Sequence, residues 1–178
     1  MSKKKNGNRM RKFIRITTIA LMSMLLLSAC GFALRGSGPP PDLPFKTLFL
    51  GFADTSPLGV MMRRNLAALG NIKVVADRKE ADAALEVLAD LKDKQVLSLN
   101  SQGRVQEFTL QYRLGFRVVD RKGVQLLAPT EVVIRRIQSY NDSQVLAKEA
   151  EEATLFREMQ SDMVQQVLRR IYAIKPAQ

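Results

Sequence analysis

Apolar and polar residues alternate over residues 107–118, and this pattern constrains the fold more than any other feature of the sequence. The apolar side chains occupy every second position: Phe108, Leu110, Tyr112, Leu114, Phe116 and Val118. Because successive side chains of a strand point to opposite faces of a sheet, the run predicts one long strand with an apolar and a polar face. The predicted polar face carries Glu107, Thr109, Gln111, Arg113 and Arg117.

Shorter patterns predict a strand, a helix and a second strand ahead of this run. Residues 46–52 and 72–75 are rich in strand-forming residues. Between them, Ser56 and Pro57 are typical of a helix start and Gly70 of a helix end. A strand, helix and strand of these lengths suit a right-handed crossover. Apolar residues recur at helical spacing inside the predicted helix: Leu58, Met62, Leu66 and Leu69.

Residues 81–94 fit two structures. One set of apolar positions has helical spacing, and an overlapping set alternates as in a strand. Helix propensity alone favours the helix, and the residues leave both alternatives open. Farther along, residues 100–103 predict a hairpin turn and residues 120–123 a second turn. Residues 124–137 then predict a strand that Pro129 bends or places at a sheet edge.

A long helix is predicted to follow and to complete one α/β domain. Asp142 and Ser143 are predicted to cap its start, and Arg169 and Arg170 lie where cations stabilise a helix end. Its apolar stripe is predicted to pack on the sheet: Ala153, Phe156, Met159, Met163, Val167 and Ile171.

The first 29 residues are typical of a secretory signal peptide. Seven Lys and Arg side chains and no acidic residue precede or flank an apolar run over residues 16–27. A helix that spans a bilayer needs about 20 residues, so this run is too short. Residues 27–30, Leu-Ser-Ala-Cys, look like a bacterial lipobox. That pattern implies a diacylglycerol group on the thiol of Cys30 and an acyl chain on its amine.

The segment after Cys30 is predicted to be a lipidated flexible tether over residues 30–44, because it is rich in Gly and Pro and lacks a core-forming period. Acyl chains contribute about 0.8 kcal/mol per buried methylene group, so two or three chains anchor a protein stably. Gly31 favours the outer membrane, since Asp at this position commonly retains enterobacterial lipoproteins in the inner membrane.

Composition excludes several classes of function. The 178 residues include no His and one Cys, which excludes His-based catalysis, His-ligated metals and an intrachain disulfide. The net charge of +11 falls to about +4 once residues 1–29 are removed. A secreted domain of that charge gives no reason to expect nucleic acid as a partner. No Ser or Thr has a His partner, and no glycine-rich phosphate loop is present, so we expect no enzyme and no cofactor.

Basic residues on the predicted strands allow two interpretations. They could hold an anionic amphiphile, with phosphates on the cations and acyl chains beside aliphatic groups. A solvated sheet face is the simpler alternative. The residues concerned are Arg113, Arg117, Arg121, Arg135 and Arg136, with Arg104 after the first hairpin turn and Lys148 early in the last helix.

Several stretches resemble the LptE family of LPS-assembly lipoproteins. Residues 30–36, Cys-Gly-Phe-Ala-Leu-Arg-Gly, are similar to the start of the mature family members. The likeness continues through the first strand, the helix that begins at Ser56, and the turn at residues 100–103. It extends to residues 141–149 and 158–171, and so covers most of residues 30–175.

This resemblance implies a two-layer α+β sandwich over residues 45–175, with two helices packed on a mixed, largely antiparallel sheet of long strands. It also implies that residues 81–94 form a strand. Members of the family occupy the lumen of the LptD outer-membrane barrel, assist its assembly and bind lipopolysaccharide. The implied partners are therefore LptD, lipopolysaccharide and the outer membrane, and a polar strand face suits the polar interior of a barrel.

The resemblance carries over one lipopolysaccharide-binding position directly. Lys148 matches a basic position of the family near the start of the last helix. The family's basic position in the hairpin is occupied by Ser101, and Arg104 lies nearby. We expect Lys148 and Arg104 to engage lipid A phosphates or acidic core sugars. The alternatives are an auxiliary lipoprotein of another envelope lipid transporter and a barrel-assembly lipoprotein that does not touch lipid.

The lipobox generates the first prediction. We expect the mature protein to begin at Cys30 and to carry covalent diacylglycerol and N-acyl groups, because small residues precede the thiol and admit the extended backbone to a peptidase cleft. Mass spectrometry of the protein isolated from membranes measures this directly. An unmodified Cys30 in the mature protein would contradict the prediction.

Overall fold

Five strands and two helices make up the part of the chain that the computed structural model describes, residues 43–175. The predictions for the signal peptide, for Cys30 and for residues 31–42 of the tether lie outside the described residues. The elements in chain order are β1 (Thr47–Leu50), α1 (Pro57–Leu69), β2 (Lys73–Val75), β3 (Ala83–Leu99), β4 (Val105–Asp120), β5 (Gln125–Ser139) and α2 (Val145–Ile171).

The strands form one mixed sheet in the order β2-β1-β3-β4-β5. Strand β1 is parallel to both β2 and β3, and β4 is antiparallel to both β3 and β5. Buried residues of both helices join those of the sheet in one core cluster. The expected α+β sandwich of two helices on a largely antiparallel sheet is confirmed.

The sheet has two unlike ends. We call the end at which β1, β2 and β3 begin the near end, and the end at which β3 meets β4 in the hairpin turn the distal end. The core continues along β4 beyond the short strands, since β1 pairs only with Ala83, Ala84 and Leu85 of β3. Its largest fully buried side chains are Tyr112, Phe116, Leu48, Leu58, Met62, Leu66, Leu85, Leu110, Leu114, Met159, Met163 and Ile171.

Residues 81–94 belong to a strand, and the preference of helix propensity for a helix is wrong. Strand β3 pairs in parallel with β1, where Leu48 lies opposite Ala83, and antiparallel with β4. Ala83 and Leu85 are buried, whereas Leu88 and Leu91 are more than half exposed. A helix would have placed Leu88 and Leu91 in its buried apolar stripe. Backbone pairing of β3 on two sides therefore overrides local propensity.

Helix α1 follows its predicted caps. The Ser56 Oγ accepts a hydrogen bond from the Gly59 N–H at 3.2 Å, Pro57 is the first helical residue, and Gly70 ends the helix with φ of 71°. Leu58, Met62 and Leu66 are buried as expected. The prediction for Leu69 is wrong, because its side chain is 53% exposed at the end of the helix.

Helix α2 differs from prediction at its start. Asp142 and Ser143 do not cap it. They lie in a short 3₁₀ turn (Asp142–Gln144), and the Asn141 side chain accepts from the Ser143 N–H at 3.1 Å. Ala153 is exposed rather than part of the buried stripe. Arg169 and Arg170 lie in the last turn, as predicted. Neither helix in residues 43–175 is long and apolar enough to cross a bilayer.

A close approach of α1 to Phe52, in the segment between β1 and α1, generates the second prediction. A Cβ atom on Gly59 would lie 2.6 Å from the Phe52 Cβ, so the helix cannot stay in place with a larger residue there. We expect Gly59→Ala to lower the free energy of unfolding by about 1–3 kcal/mol, the usual cost of overpacking, although Ala favours a helix. Urea denaturation measures the change.

The exposed Ala68 of the same helix provides the control. Ala68→Gly meets no neighbouring core and should lower stability by about 1 kcal/mol through helix propensity alone. If Gly59→Ala instead stabilised the protein, propensity would outweigh the contact with Phe52 and the prediction would be wrong.

Candidate functional site

An open groove of about 700 Å³ lies at the distal end, between the hairpin turn and the segment that leads into α2. Three parts of the chain contribute to it: the β3–β4 turn, the start of β4, and the residues after β5. Its lining is mostly polar and consists of Asn100, Gln102, Arg104, Val105, Gln106, Tyr140, Asn141, Asp142 and Ser143. Ligand chemistry there can rest on amide, hydroxyl and guanidinium groups.

Arg104 lines this groove, and its backbone is fixed by the turn. The Asn100 Oδ1 accepts from the Arg104 N–H at 3.0 Å, and the Asn100 N–H donates to the Arg104 carbonyl at 2.8 Å. Arg104 is exposed, and no carboxylate among residues 43–175 forms an ion pair with it. The guanidinium of Arg104 can therefore offer paired donors to a phosphate or carboxylate.

Lys148 lies at the same end but is already engaged. Its Nζ lies 2.8 Å from the Glu151 Oε2 and donates to the Ser139 Oγ at 3.1 Å, and its side chain is only 15% exposed. A ligand anion would have to share this ammonium group with Glu151. The two predicted residues therefore differ in availability.

The register of the sheet sets how near the two cations can be. Ser139, which contacts Lys148, pairs with Glu107 on β4, and Glu107 is three residues from Arg104. At about 3.4 Å per residue, this offset along the strand is about 10 Å. Arg104 and Lys148 thus share the distal end without touching.

Gln138 holds the start of α2 against the sheet. Its Nε2 donates to the Lys148 carbonyl at 2.7 Å, and the side chain is 1% exposed. Its Oε1 is buried without a hydrogen-bond partner among the described residues. Sequence reasoning missed this residue, because a Gln near the end of a strand carries no signal of burial.

Sequence reasoning also missed the aromatic and apolar side chains of this end. Phe108 and Tyr140 meet edge to face with ring centroids 5.1 Å apart. Large apolar side chains stand in solvent nearby on β3, β5 and α2: Leu99, Ile137 and Leu146, the last 82% exposed. Exposed apolar groups beside cations are what an anionic amphiphile requires.

The sheet face opposite the helices carries the predicted polar side chains of β4, together with exposed Leu91, Val133 and Ile137. Arg117 donates to Glu86 at 2.7 Å, and Arg113 lies 3.3 Å from Glu131. Hydrogen bonds from Arg117, and then from Arg78, hold the pKa of Glu86 below its usual range. The arginines of this face are therefore paired, as in the alternative of a solvated face. They do not form a free cation cluster.

The remaining basic residues lie at separate positions on the sheet. Arg121 contacts Asp82 at 3.4 Å at the near end, far along the strands from Arg104. Arg135 donates to Gln111, and Arg136 binds Asp162 of α2 at 2.5 Å. Within residues 43–175, no cluster of His, Cys, Asp and Glu could hold a metal ion.

A helix layer on one face, long antiparallel strands and a polar groove at their free end define a small α+β binding domain. The sequence model of the LptE family, described as lipopolysaccharide-assembly, matches residues 45–171. The chain belongs to the LptE family.

Curated relatives and solved structures agree with this assignment. The chain is 29% identical to the LPS-assembly lipoprotein LptE of Pectobacterium atrosepticum, over 92% of this chain and 89% of the relative. It is 30% identical to the LPS-assembly lipoprotein LptE of Yersinia enterocolitica, over 88% of this chain and 75% of the relative. A solution structure of lipoprotein B from Nitrosomonas europaea is 35% identical with a TM-score of 0.67, covering 80% of this chain and 91% of that one. The crystal structure of a minor lipoprotein of Acinetobacter baumannii is 27% identical with a TM-score of 0.62, covering 77% of this chain and 99% of that one.

The unequal engagement of the two cations generates the third prediction. We expect Lys148→Gln to lower the free energy of unfolding by about 0.5–1 kcal/mol, because it breaks the ion pair with Glu151. Arg104→Gln should change stability by less than about 0.5 kcal/mol, since the guanidinium is exposed. Urea denaturation measures both, and a double-mutant cycle with Glu151→Gln isolates the ion pair. Equal losses at both positions would show that the assigned contacts are not formed.

Proposed function

We propose that this protein acts in lipopolysaccharide assembly as a lipoprotein anchored through acylated Cys30 to the outer membrane, where it fills the lumen of the LptD barrel, assists barrel assembly and binds lipopolysaccharide. It acts by binding and not by catalysis. Membership of the LptE family supports the role in assembly. The distal groove with its exposed Arg104 is the observation that carries the binding role.

The polar sheet face supports the barrel as partner. The interior wall of a transmembrane barrel is polar, so a domain that fills it needs a hydrophilic surface over a strand-length distance. The helix-free face offers such a surface, since Gln111 and Arg135 and then Arg113 and Glu131 form contacts between neighbouring strands. Side chains already paired with each other also lose less hydration when a second polar surface approaches.

The distal end supports lipopolysaccharide as ligand. Arg104 can bind a phosphate or an acidic sugar, and Lys148 can bind one after exchange with Glu151. Leu146 and Ile137 offer exposed apolar area for acyl chains. The amide and phenol groups of the groove suit the hydroxyl-rich remainder of the ligand.

Lipopolysaccharide binding generates the fourth prediction. We expect Arg104→Glu combined with Lys148→Glu to weaken binding at least tenfold, since a charged hydrogen bond contributes about 1.5–3 kcal/mol. Binding of purified lipopolysaccharide to the detergent-solubilised protein measures this. Arg64→Glu combined with Arg157→Glu makes the same change in charge on exposed helix positions and should bind like the original protein.

Two outcomes of this experiment would count against the site. Unchanged binding by the Arg104 and Lys148 variant, with unfolding by urea still cooperative, would remove the assignment. An equal loss in the Arg64 and Arg157 variant would show that net charge, and not the distal end, controls binding. Arg104→Gln alone serves as the milder variant if the double reversal fails to fold.

The partner is tested separately. A pull-down from detergent-solubilised outer membranes should recover LptD in stoichiometric amount. Recovery of a different lipid transporter or of a barrel-assembly complex in its place would favour the alternatives and overturn the proposed partner.

A further inference from the structure

The near end of the domain carries exposed lysines that take no part in the distal groove. They come from strand starts, turns and the chain after α2: Lys46, Lys73, Lys79, Lys122 and Lys175, which we call the near-end lysines. All five are exposed, and none forms an ion pair with a carboxylate among residues 43–175.

Hydrogen bonds of the backbone place these lysines on one edge. The Lys73 N–H donates to the Lys46 carbonyl at 2.9 Å, and the Lys46 N–H donates to the Asp82 Oδ2 at 3.2 Å. The Arg121 N–H, next to Lys122, donates to the Asp82 carbonyl at 3.0 Å. The lysines therefore span β2, β1, β3 and the β4–β5 turn.

The other two lysines join the same edge through neighbouring residues. The Glu80 carbonyl, next to Lys79, accepts from the Thr47 Oγ at 3.3 Å. The Tyr172 hydroxyl, three residues before Lys175, donates to the Asn71 Oδ1 at 2.9 Å, two residues before Lys73. The last described turn of the chain thus lies at the start of β2.

Carboxylates at this end are turned toward the backbone. Asp77 accepts from the Lys79 N–H, and Asp120 accepts from the Lys122 N–H. Asp82 accepts from the N–H groups of Lys46 and Thr47, and hydrogen bonds from Thr47 hold its pKa below the usual range. Glu80 is a fourth, exposed carboxylate here, and Asp82 also contacts Arg121, but the five lysines still outnumber the carboxylates on this edge.

The lipid tether reaches the domain at this same end. Residue 43, the first described residue, lies four residues before the start of β1, and Cys30 lies 13 residues earlier still, a span of at most about 45 Å at full extension. The described domain is therefore joined at its near end to the segment that carries the proposed anchor. Polybasic groups next to a membrane attachment contribute about 1 kcal/mol each toward an anionic lipid surface.

We propose that the near-end lysines bind anionic phospholipid headgroups of the leaflet that holds the lipid anchor, and so fix the orientation of the domain. This rests on the proposed function only for the anchor at Cys30. The partner chemistry is a phosphodiester headgroup layer. Lipopolysaccharide binds at the opposite, distal end.

The test is amine labelling of the full protein in vesicles. The protein is reconstituted into phosphatidylcholine vesicles with and without phosphatidylglycerol, and labelling of each lysine is followed by mass spectrometry. We expect the near-end lysines to react several-fold more slowly when phosphatidylglycerol is present, and raising the salt concentration to remove the difference. Lys92, in the distal half of β3, should react at the same rate in both vesicles.

Matched variants make the result specific. Lys46→Gln, Lys73→Gln and Lys175→Gln together should abolish the protection of Lys79 and Lys122. Removing three exposed cations away from this edge, Arg64→Gln, Arg135→Gln and Arg157→Gln, should leave that protection intact.

Equal labelling in both vesicle types, or equal effects of the two triple variants, would overturn the proposal. Protection of the near-end lysines by lipopolysaccharide but not by phosphatidylglycerol would also overturn the proposal. The lysine variant should keep full lipopolysaccharide binding, so failure here leaves the proposed function standing. If Cys30 proves unmodified, the protein is added to preformed vesicles, and the comparison of lipid compositions still decides the role of the lysines.

Discussion

The constraint on which the structure depends is that two helices cover one face of a sheet whose strands differ greatly in length. Strand β2 has three residues, whereas β3 has seventeen. The core continues past the short strands, where Leu110, Tyr112 and Leu114 of β4 are buried, but most of β3 from Lys92 onward is exposed and must be held by other contacts. Lys92 lies over the rings of Tyr112 and Phe156, and Lys94 lies 4.2 Å from the Phe108 ring centroid. On this part of β3, cation–π contacts between lysine side chains and aromatic rings take the place of buried apolar side chains.

The same difference in length creates a long edge strand that must not recruit another chain. Unpaired backbone groups on such an edge are a template for aggregation. In β5 the Glu131 carbonyl accepts from Arg170 at 2.9 Å, and the Arg135 carbonyl accepts from Arg136 at 3.1 Å. Pro129 lies where the pairing with β4 shifts register. Arginine side chains and a proline thus protect the edge without a further strand.

Sequence reasoning succeeded where one periodicity dominated and failed where a tertiary contact decided. The alternation in β4 and the caps of α1 were predicted, because each depends on neighbouring residues. Residues 81–94 could be resolved only by the resemblance, since their strand depends on β1 and β4. Leu69 and Ala153 have helical spacing but extend beyond the core. The groove draws on two segments far apart in the chain, residues 100–106 and 140–143, so no local pattern predicted it. Arg104 and Lys148 came from the resemblance.

The length of the strands gives the two ends different tasks. Seventeen residues at about 3.3 Å each extend roughly 55 Å, which exceeds the 40–45 Å of a bilayer with its headgroups. A domain seated as proposed, with its strands along the membrane normal, would carry Arg104 and Lys148 to about the depth of the opposite headgroups. At that distance the two cations would lie beyond reach of the headgroups that the near-end lysines are proposed to bind. The proposed function and the proposed orientation are therefore compatible, because the length of one sheet separates the two binding surfaces.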